Sequence, residues 1–131
     1  FFIFFIFFIY IIIISIIIYS NYYIDSMISV FNDYGIYMII KDGIAIPHAK
    51  NNDDILQTGF ALLLLDQPVM TPFNKELSII LAFSSYDNTE HLEALSEFAN
   101  LLTNTDFIKQ ANKFNTPEDI LTFISLNKHQ L

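Results

Sequence analysis

The sequence predicts an α/β fold, a single domain in which a mixed central β-sheet is flanked by helices. Short apolar runs rich in β-branched residues lie between positions 36 and 85, and apolar residues recur at helical spacing before and after them. Strands in the middle of a chain with helices on either side are typical of layered α/β domains. The 131 residues suit one domain with its own hydrophobic core.

The first 20 residues form a segment of low complexity. Residues 1–19, FFIFFIFFIYIIIISIIIY, contain only Phe, Ile, Tyr and one Ser, and a bilayer-spanning helix needs about 20 apolar residues. No basic residue precedes Lys41, so the charges that orient a membrane segment or open a signal peptide are missing. Three interpretations stay open: an artefact of a misplaced start or reading frame, a membrane anchor, or a strand. The folded domain is expected over residues 21–131.

The elements that follow are predicted in order along the chain. A helix is expected from about Tyr22 to Asp33, with Gly35 as its stop. Two short strands, IYMII and IAI, are separated by the reversal Lys41-Asp42-Gly43. TGFALLLL, residues 58–65, lacks alternation and predicts a strand buried on both faces that ends at Asp66-Gln67-Pro68. ELSIILAFSS, residues 76–85, predicts another apolar strand.

The last third of the chain predicts helices. Residues 92–102 carry an apolar helical stripe, with Asp87 or Asn88 as the cap in front of it. Residues 106–113 predict a short second helix. Thr116 is expected to cap a third helix that has Pro117 at its first position and continues to about Leu126.

Composition excludes several classes of function. With 14 acidic residues against six lysines and no arginine, the chain has a formal net charge of −8 and is expected to bind no nucleic acid. The absence of cysteine removes thiolate metal sites and cysteine nucleophiles and fits a reducing, cytoplasmic compartment. Neither a phosphate-binding glycine loop nor a Gly-x-Ser-x-Gly elbow is present, and no cofactor is expected.

Two of the three histidines follow predicted strands. His48 comes directly after Pro47, which fixes the direction in which the chain leaves the strand, and sites tend to lie at such strand ends. His91 lies in the first turn of the helix after the next strand, where unpaired backbone N–H groups favour an anion and a neutral imidazole. His129 lies in a polar tail and is expected to be a solvated terminal residue.

Three roles for His48 and His91 remain compatible with the residues alone. Each could be a partly buried core residue whose ring nitrogens have hydrogen-bond partners. Alternatively, both could converge at one edge of the sheet. A two-histidine metal site would need Asp53, Asp87 or Glu90 as a third ligand, and no His-x-His or His-x-x-x-His spacing supports it.

Two motifs and their order resemble a known family. GIAIPHAK at 43–50, DNTEHLEALSEFANLLTN at 87–104 and YIDSMISVFNDYGIYMII at 23–40 are similar to the enzyme IIA domains of the bacterial sugar phosphotransferase system, mannitol/fructose superfamily. The resemblance spans roughly residues 22–124 and is closest to the ascorbate-type branch. Mannitol-type members carry an arginine in the helix before the site, where this chain has VFND.

The resemblance implies a phosphocarrier. His48 would accept a phosphoryl group from the carrier protein HPr and pass it to a cysteine of enzyme IIB, the partner of the membrane subunit IIC, while His91 would support the phosphate. A neutral imidazole has the lone pair that this attack needs, and backbone amides after Pro47 and near His91 could stabilise the phosphate oxygens. Membrane contact would come only through the transporter or the first 20 residues. The alternatives are a regulatory module that signals sugar or nitrogen status and a metal-binding domain.

Overall fold

The computed structural model describes residues 21–41, 43–49, 55, 58–85, 89 and 91–127. The predictions for residues 1–20, for the cap at Asp87 or Asn88 and for His129 lie outside these residues. The chain divides into two compact units, with the boundary between Glu90 and His91. Within the described ranges, no helix is both long enough and apolar enough to cross a membrane.

A four-stranded mixed sheet dominates the first unit. Its strands are β1 (Ile39–Lys41), β2 (Gly43–Ala45), β3 (Gly59–Met70) and β4 (Glu76–Ser84), in the spatial order β1-β2-β4-β3. β2 is parallel to β4, and the other two pairs are antiparallel. The mixed sheet is the one that the sequence predicts. β4 is central and buried along most of its length, as its continuous apolar run requires.

One helix shares a buried core with this sheet. Helix α1 (Asn21–Tyr34) buries Tyr23, Ile24, Met27 and Phe31, which recur at the helical spacing expected of an apolar stripe. These side chains belong to one buried cluster, which also contains residues from the sheet: Ala45, Val69, Leu77, Ile80 and Ala82.

The predicted strand over IYMII is wrong in its first half. Residues Gly35–Met38 form a 3-10 helix, and only Ile39 and Ile40 of that run continue into β1. The chain must turn between α1 and the sheet within a few residues, and this need for a tight connection overrides the β propensity of Ile36 and Tyr37. The predicted reversal before β2 is confirmed, since β1 and β2 are antiparallel and Gly43 has a φ of 84°.

The prediction for β3 is wrong in two respects. The strand does not end at Asp66-Gln67-Pro68 but continues to Met70, because a shift of register between Leu64 and Val69 accommodates a proline that cannot donate to the ladder. Residues 59–65 are also half-buried rather than fully buried. The physical reason is position, since β3 lies at the outside of the four-stranded sheet.

The second unit is helical and agrees with the sequence prediction. It contains α2 (His91–Thr103), α3 (Thr105–Gln110), a 3-10 turn at Ala111–Lys113 and α4 (Pro117–Leu126). Thr116 caps α4 in a complete capping box. Three phenylalanine rings pack together with centroids 5.6 to 5.8 Å apart and join a small core, the rings being those of Phe107, Phe114 and Phe123.

Candidate functional site

His48 lies beyond the carboxyl end of β2 and is exposed. The preceding Pro47 is fully buried, so the chain is anchored immediately before the histidine. β2 runs parallel to β4 with Ala45 opposite Ile80, and the same direction brings His48 alongside Phe83, near the end of β4. The sequence prediction that His48 follows a strand and is displayed at its end therefore agrees with the structure.

Two contacts fix the orientation of the His48 ring. One face stacks on the ring of Phe83, with centroids 5.0 Å apart and an interplanar angle of 23°. Phe83 in turn stacks on Phe60 at 5.7 Å, so three rings form a continuous stack. Nδ1 of His48 lies 2.9 Å from the carbonyl oxygen of Ile46. Stacking restricts the tilt of the imidazole, and the hydrogen bond restricts its rotation.

The hydrogen bond also selects the tautomer of a neutral His48. A carbonyl oxygen only accepts hydrogen bonds, so Nδ1 must carry the hydrogen and donate it to Ile46. The lone pair of the neutral imidazole is then on Nε2, the nitrogen on the far side of the ring from that contact. The arrangement offers an exposed imidazole with a defined nucleophilic nitrogen.

The hydroxyl of Tyr23 connects the two segments that hold His48. It donates to the carbonyl oxygen of Phe83 over 2.7 Å and accepts the backbone N–H of Ala49 over 3.2 Å. Tyr23 is only 1% exposed, and this burial raises the pKa of its hydroxyl above the ordinary value of 10.0. The hydroxyl is thus a neutral donor and acceptor throughout the physiological range.

Tyr23 corrects one expectation and supplies a residue that the sequence argument overlooked. Backbone amides after Pro47 were expected to be available to a phosphate, but the amide of Ala49 is engaged by Tyr23. In the sequence, Tyr23 belongs to an apolar helical stripe and begins the segment 23–40 that resembles the family, and neither feature gives its hydroxyl a role at the site. The signal that could have drawn attention to it is its hydroxyl, since a tyrosine on the buried face of a helix needs a hydrogen-bond partner across the core.

An exposed apolar segment adjoins the strand that leads to His48. We call Tyr34, Ile36, Tyr37 and Ile40 the apolar surface; they are 60%, 40%, 84% and 47% exposed. The backbone N–H of Ile46 donates to the carbonyl oxygen of Met38 over 2.8 Å, which links this segment to the chain two residues before the histidine. Exposed aromatic and aliphatic side chains are the kind that protein interfaces bury.

The second predicted site residue, His91, is the first residue of α2, as the sequence predicts. Its side chain is outside the described part of the structure, so its pairing with His48 stays a prediction. The three acidic residues considered as metal ligands, Asp53, Asp87 and Glu90, are also outside it. Among the residues that the structure does describe, no group of three His, Asp or Glu side chains could hold a metal ion.

Comparisons with known proteins agree on one family. Residues 12–127 match the family described as phosphoenolpyruvate-dependent sugar phosphotransferase system, EIIA 2. A mannitol-specific cryptic phosphotransferase enzyme IIA component of Escherichia coli K12 is 29% identical over 111 residues, which cover 81% of this chain and 76% of the relative. An ascorbate-specific EIIA component of Mycoplasma pneumoniae is 30% identical over 89 residues, which cover 66% of this chain and 56% of that relative.

Solved structures show the same fold. A putative PTS IIA (PtxA) from Streptococcus mutans superposes with a TM-score of 0.75 at 26% identity, over 85% of this chain and 72% of the other. The α/β fold with a mixed sheet and helices is therefore that of these IIA domains.

Proposed function

This chain belongs to the EIIA 2 family of the phosphoenolpyruvate-dependent sugar phosphotransferase system, and on that basis we propose that it is a phosphocarrier that is loaded on His48. The observation that carries the proposal is the geometry of this histidine. It is exposed, stacked on Phe83 and held through Nδ1, which leaves Nε2 as the nucleophile. Enzyme IIA domains are phosphotransferase components, and an oriented exposed imidazole is what such a component needs.

The proposed loading step is a direct phosphoryl transfer from HPr. The lone pair on Nε2 of His48 attacks phosphorus, a new P–N bond forms, and the bond between phosphorus and the donor breaks with its electron pair leaving on the donor. This reaction depends on in-line positioning and on stabilised phosphate oxygens. The hydrogen on Nδ1 stays on His48, where the Ile46 carbonyl stabilises the positive charge that develops on the ring.

The proposed second step hands the group to enzyme IIB. A cysteine thiolate of IIB attacks the same phosphorus, an S–P bond forms, and the labile P–N bond breaks to return neutral His48. Because a carrier binds no sugar, selection of the sugar falls to the membrane subunit IIC. This sequence of partners places the chain on the cytoplasmic side of the transporter.

The proposed role of His91 is to stabilise the phosphate rather than to receive it. Its place at the start of α2 supports this role, since unpaired backbone N–H groups of a helix N-terminus favour an anion. A neutral imidazole can add one hydrogen bond to a phosphate oxygen. Such a residue acts chiefly when the phosphate is present.

We further propose that HPr and IIB dock on the apolar surface. Its exposed aromatic side chains suit a partner that binds and leaves, because they bury area with little loss of side-chain entropy. The hydrogen bond between Met38 and Ile46 joins this surface to the histidine segment, so that a bound partner would lie near His48.

Phosphorylation by purified components tests the proposal. Incubation with enzyme I, HPr and labelled phosphoenolpyruvate should label the wild-type chain, and His48→Ala should abolish the label. His129→Ala is the control histidine variant and should keep it. His91→Ala should slow onward transfer to IIB more than it slows loading. Persistent labelling of His48→Ala refutes the assignment, and a labelled chain that cannot pass the group to a IIB cysteine would indicate a regulatory module instead.

A further inference from the structure

We propose that Tyr23 is a positioning residue for phosphoryl transfer, acting on His48 through the backbone rather than by contact with the reacting atoms. The inference rests on the proposed function of His48. It arises from one buried hydroxyl that bonds to both segments from which the histidine site is built.

The two hydrogen bonds of Tyr23 join chain segments that are far apart in sequence. Phe83 is 60 residues from Tyr23, and Ala49 is 26 residues away. Phe83 supplies the ring on which His48 stacks, and Ala49 is the residue directly after His48. One hydroxyl therefore ties the backbone on the carboxyl side of the histidine to the backbone that carries its stacking partner.

On the amino side of His48, the anchor is different. Pro47 is fully buried, and the backbone of Ile46 is fixed by its hydrogen bond to Met38. Without the Tyr23 hydroxyl, the segment would keep this anchor but lose its tether at Ala49. The imidazole could then tilt away from Phe83, and the Nδ1 contact to Ile46 would no longer be enforced.

Burial makes the tether effective. Tyr23 is 1% exposed, so water does not compete freely for its hydroxyl, and the pKa raised by burial keeps the hydroxyl protonated. A hydroxyl that has lost its hydrogen could accept from Ala49 but could no longer donate to Phe83. The neutral form is the one that can hold both segments together.

The Tyr23→Phe variant tests this role, with Thr71→Val as the matched control. Thr71 is 4% exposed, and its hydroxyl also has two backbone partners, the N–H groups of Phe73 and Lys75. Thr71 directly follows Met70, the last residue of β3, and Met70 pairs with Glu76 at the start of β4. Phe83 lies near the other end of β4, so Thr71 is far from the ring on which His48 stacks. Both changes remove a buried hydroxyl and keep the side chain's shape.

We expect Tyr23→Phe to lower the maximal rate of loading from phosphorylated HPr about tenfold, because a small misplacement of a reacting group has a large effect on rate. The KM for phosphorylated HPr should stay within about twofold, because the apolar surface is unchanged. Thr71→Val should leave both parameters within about twofold of wild type. Equal maximal rates for Tyr23→Phe and wild type, or equal losses in both variants, would overturn the inference.

Nitrogen-15 NMR of the imidazole reports the tautomer of His48, a property that a general loss of stability does not change. In wild type, the signal that disappears in His48→Ala should report the tautomer with hydrogen on Nδ1, and Tyr23→Phe should shift it toward the other tautomer. The amide hydrogen of Ala49 should also exchange slowly with solvent. This measurement is made on the wild-type chain and does not depend on whether a variant folds. An unshifted tautomer or a rapidly exchanging Ala49 amide argues against the tether. A wild-type chain that takes no label would disprove the proposed function and with it the role of Tyr23 in phosphoryl transfer. A labelled wild-type chain with an unshifted tautomer in Tyr23→Phe would disprove the role of Tyr23 alone.

Discussion

Replacing Gly35 with alanine should destabilise the first unit by crowding a pair of aromatic rings. A β-carbon at position 35 would lie 2.7 Å from Cε2 of Phe73 and 3.0 Å from Cδ1 of Phe31. These two rings pack edge to face with centroids 6.0 Å apart. Favourable contacts between carbon atoms lie at about 3.5–4.0 Å, so a ring must move by roughly 1 Å.

The expected cost follows from which ring can move. Phe31 is 1% exposed and belongs to the core cluster, whereas Phe73 is only partly buried and can yield. Overpacking of this kind costs about 1–3 kcal/mol. Alanine has fewer unfolded conformations than glycine, which offsets about 0.4–1 kcal/mol when the backbone is compatible, and Gly35 does not have a positive φ. We therefore expect a net loss of about 1–2 kcal/mol in the free energy of unfolding.

Urea unfolding followed by circular dichroism measures this loss. With a slope of about 2 kcal/mol per molar urea, the midpoint of Gly35→Ala should fall by about 0.5–1 M. In a Phe73→Leu background the same change should cost about 1 kcal/mol less, because the closest obstructing atom is gone. A midpoint equal to or above that of wild type, or an equal cost in both backgrounds, would show that the crowding argument is wrong.

Two further predictions concern the capping box and the apolar surface. The Asp119 carboxylate accepts the backbone N–H groups of Asn115 and Thr116, which lowers its pKa below the ordinary 3.8. Its contribution to stability is therefore complete above that value and is lost as pH falls through the lower folded pKa. The difference in urea midpoint between wild type and Asp119→Asn should shrink as the pH is lowered below 3.8, and a difference of the same size at neutral and at acid pH would contradict this. Tyr37→Asp should raise the KM for phosphorylated HPr about tenfold in steady-state loading assays and leave the maximal rate unchanged. Leu121→Asp, a change at another exposed apolar position, is the control. An unchanged KM for Tyr37→Asp would show that this residue is not part of the interface.

Local sequence patterns correctly predicted the elements that are stabilised by interactions between residues close together in the chain. The stripe on α1, the 14-residue helix that it forms and the cap of α4 at Thr116 all depend on residues within one or two helical turns. The display of His48 was also predictable, because Pro47 limits how the chain leaves β2. The predictions were wrong where the backbone conformation depends on residues far away in the sequence. These places are the 3-10 turn at Gly35–Met38 and the continuation of β3 past Pro68.

The side-chain geometry of the site could not be predicted from the sequence. Nothing near Tyr23 in the chain indicates that its hydroxyl reaches Ala49 and Phe83, and nothing near His48 indicates which ring it stacks on. These contacts depend on the register between β2 and β4 and on how α1 lies against the sheet. Both are properties of the assembled core.

The sequence by itself determined the family, the order of its main elements and the histidine that it displays, because motif spacing, helical periodicity and proline geometry are encoded over short stretches. Only the tertiary structure decided the tautomer that the site favours, the stacking of three rings and the tyrosine that ties the segments together. Those features need groups 26 and 60 residues apart in the chain to meet within hydrogen-bond distance, and only the packed fold brings them there.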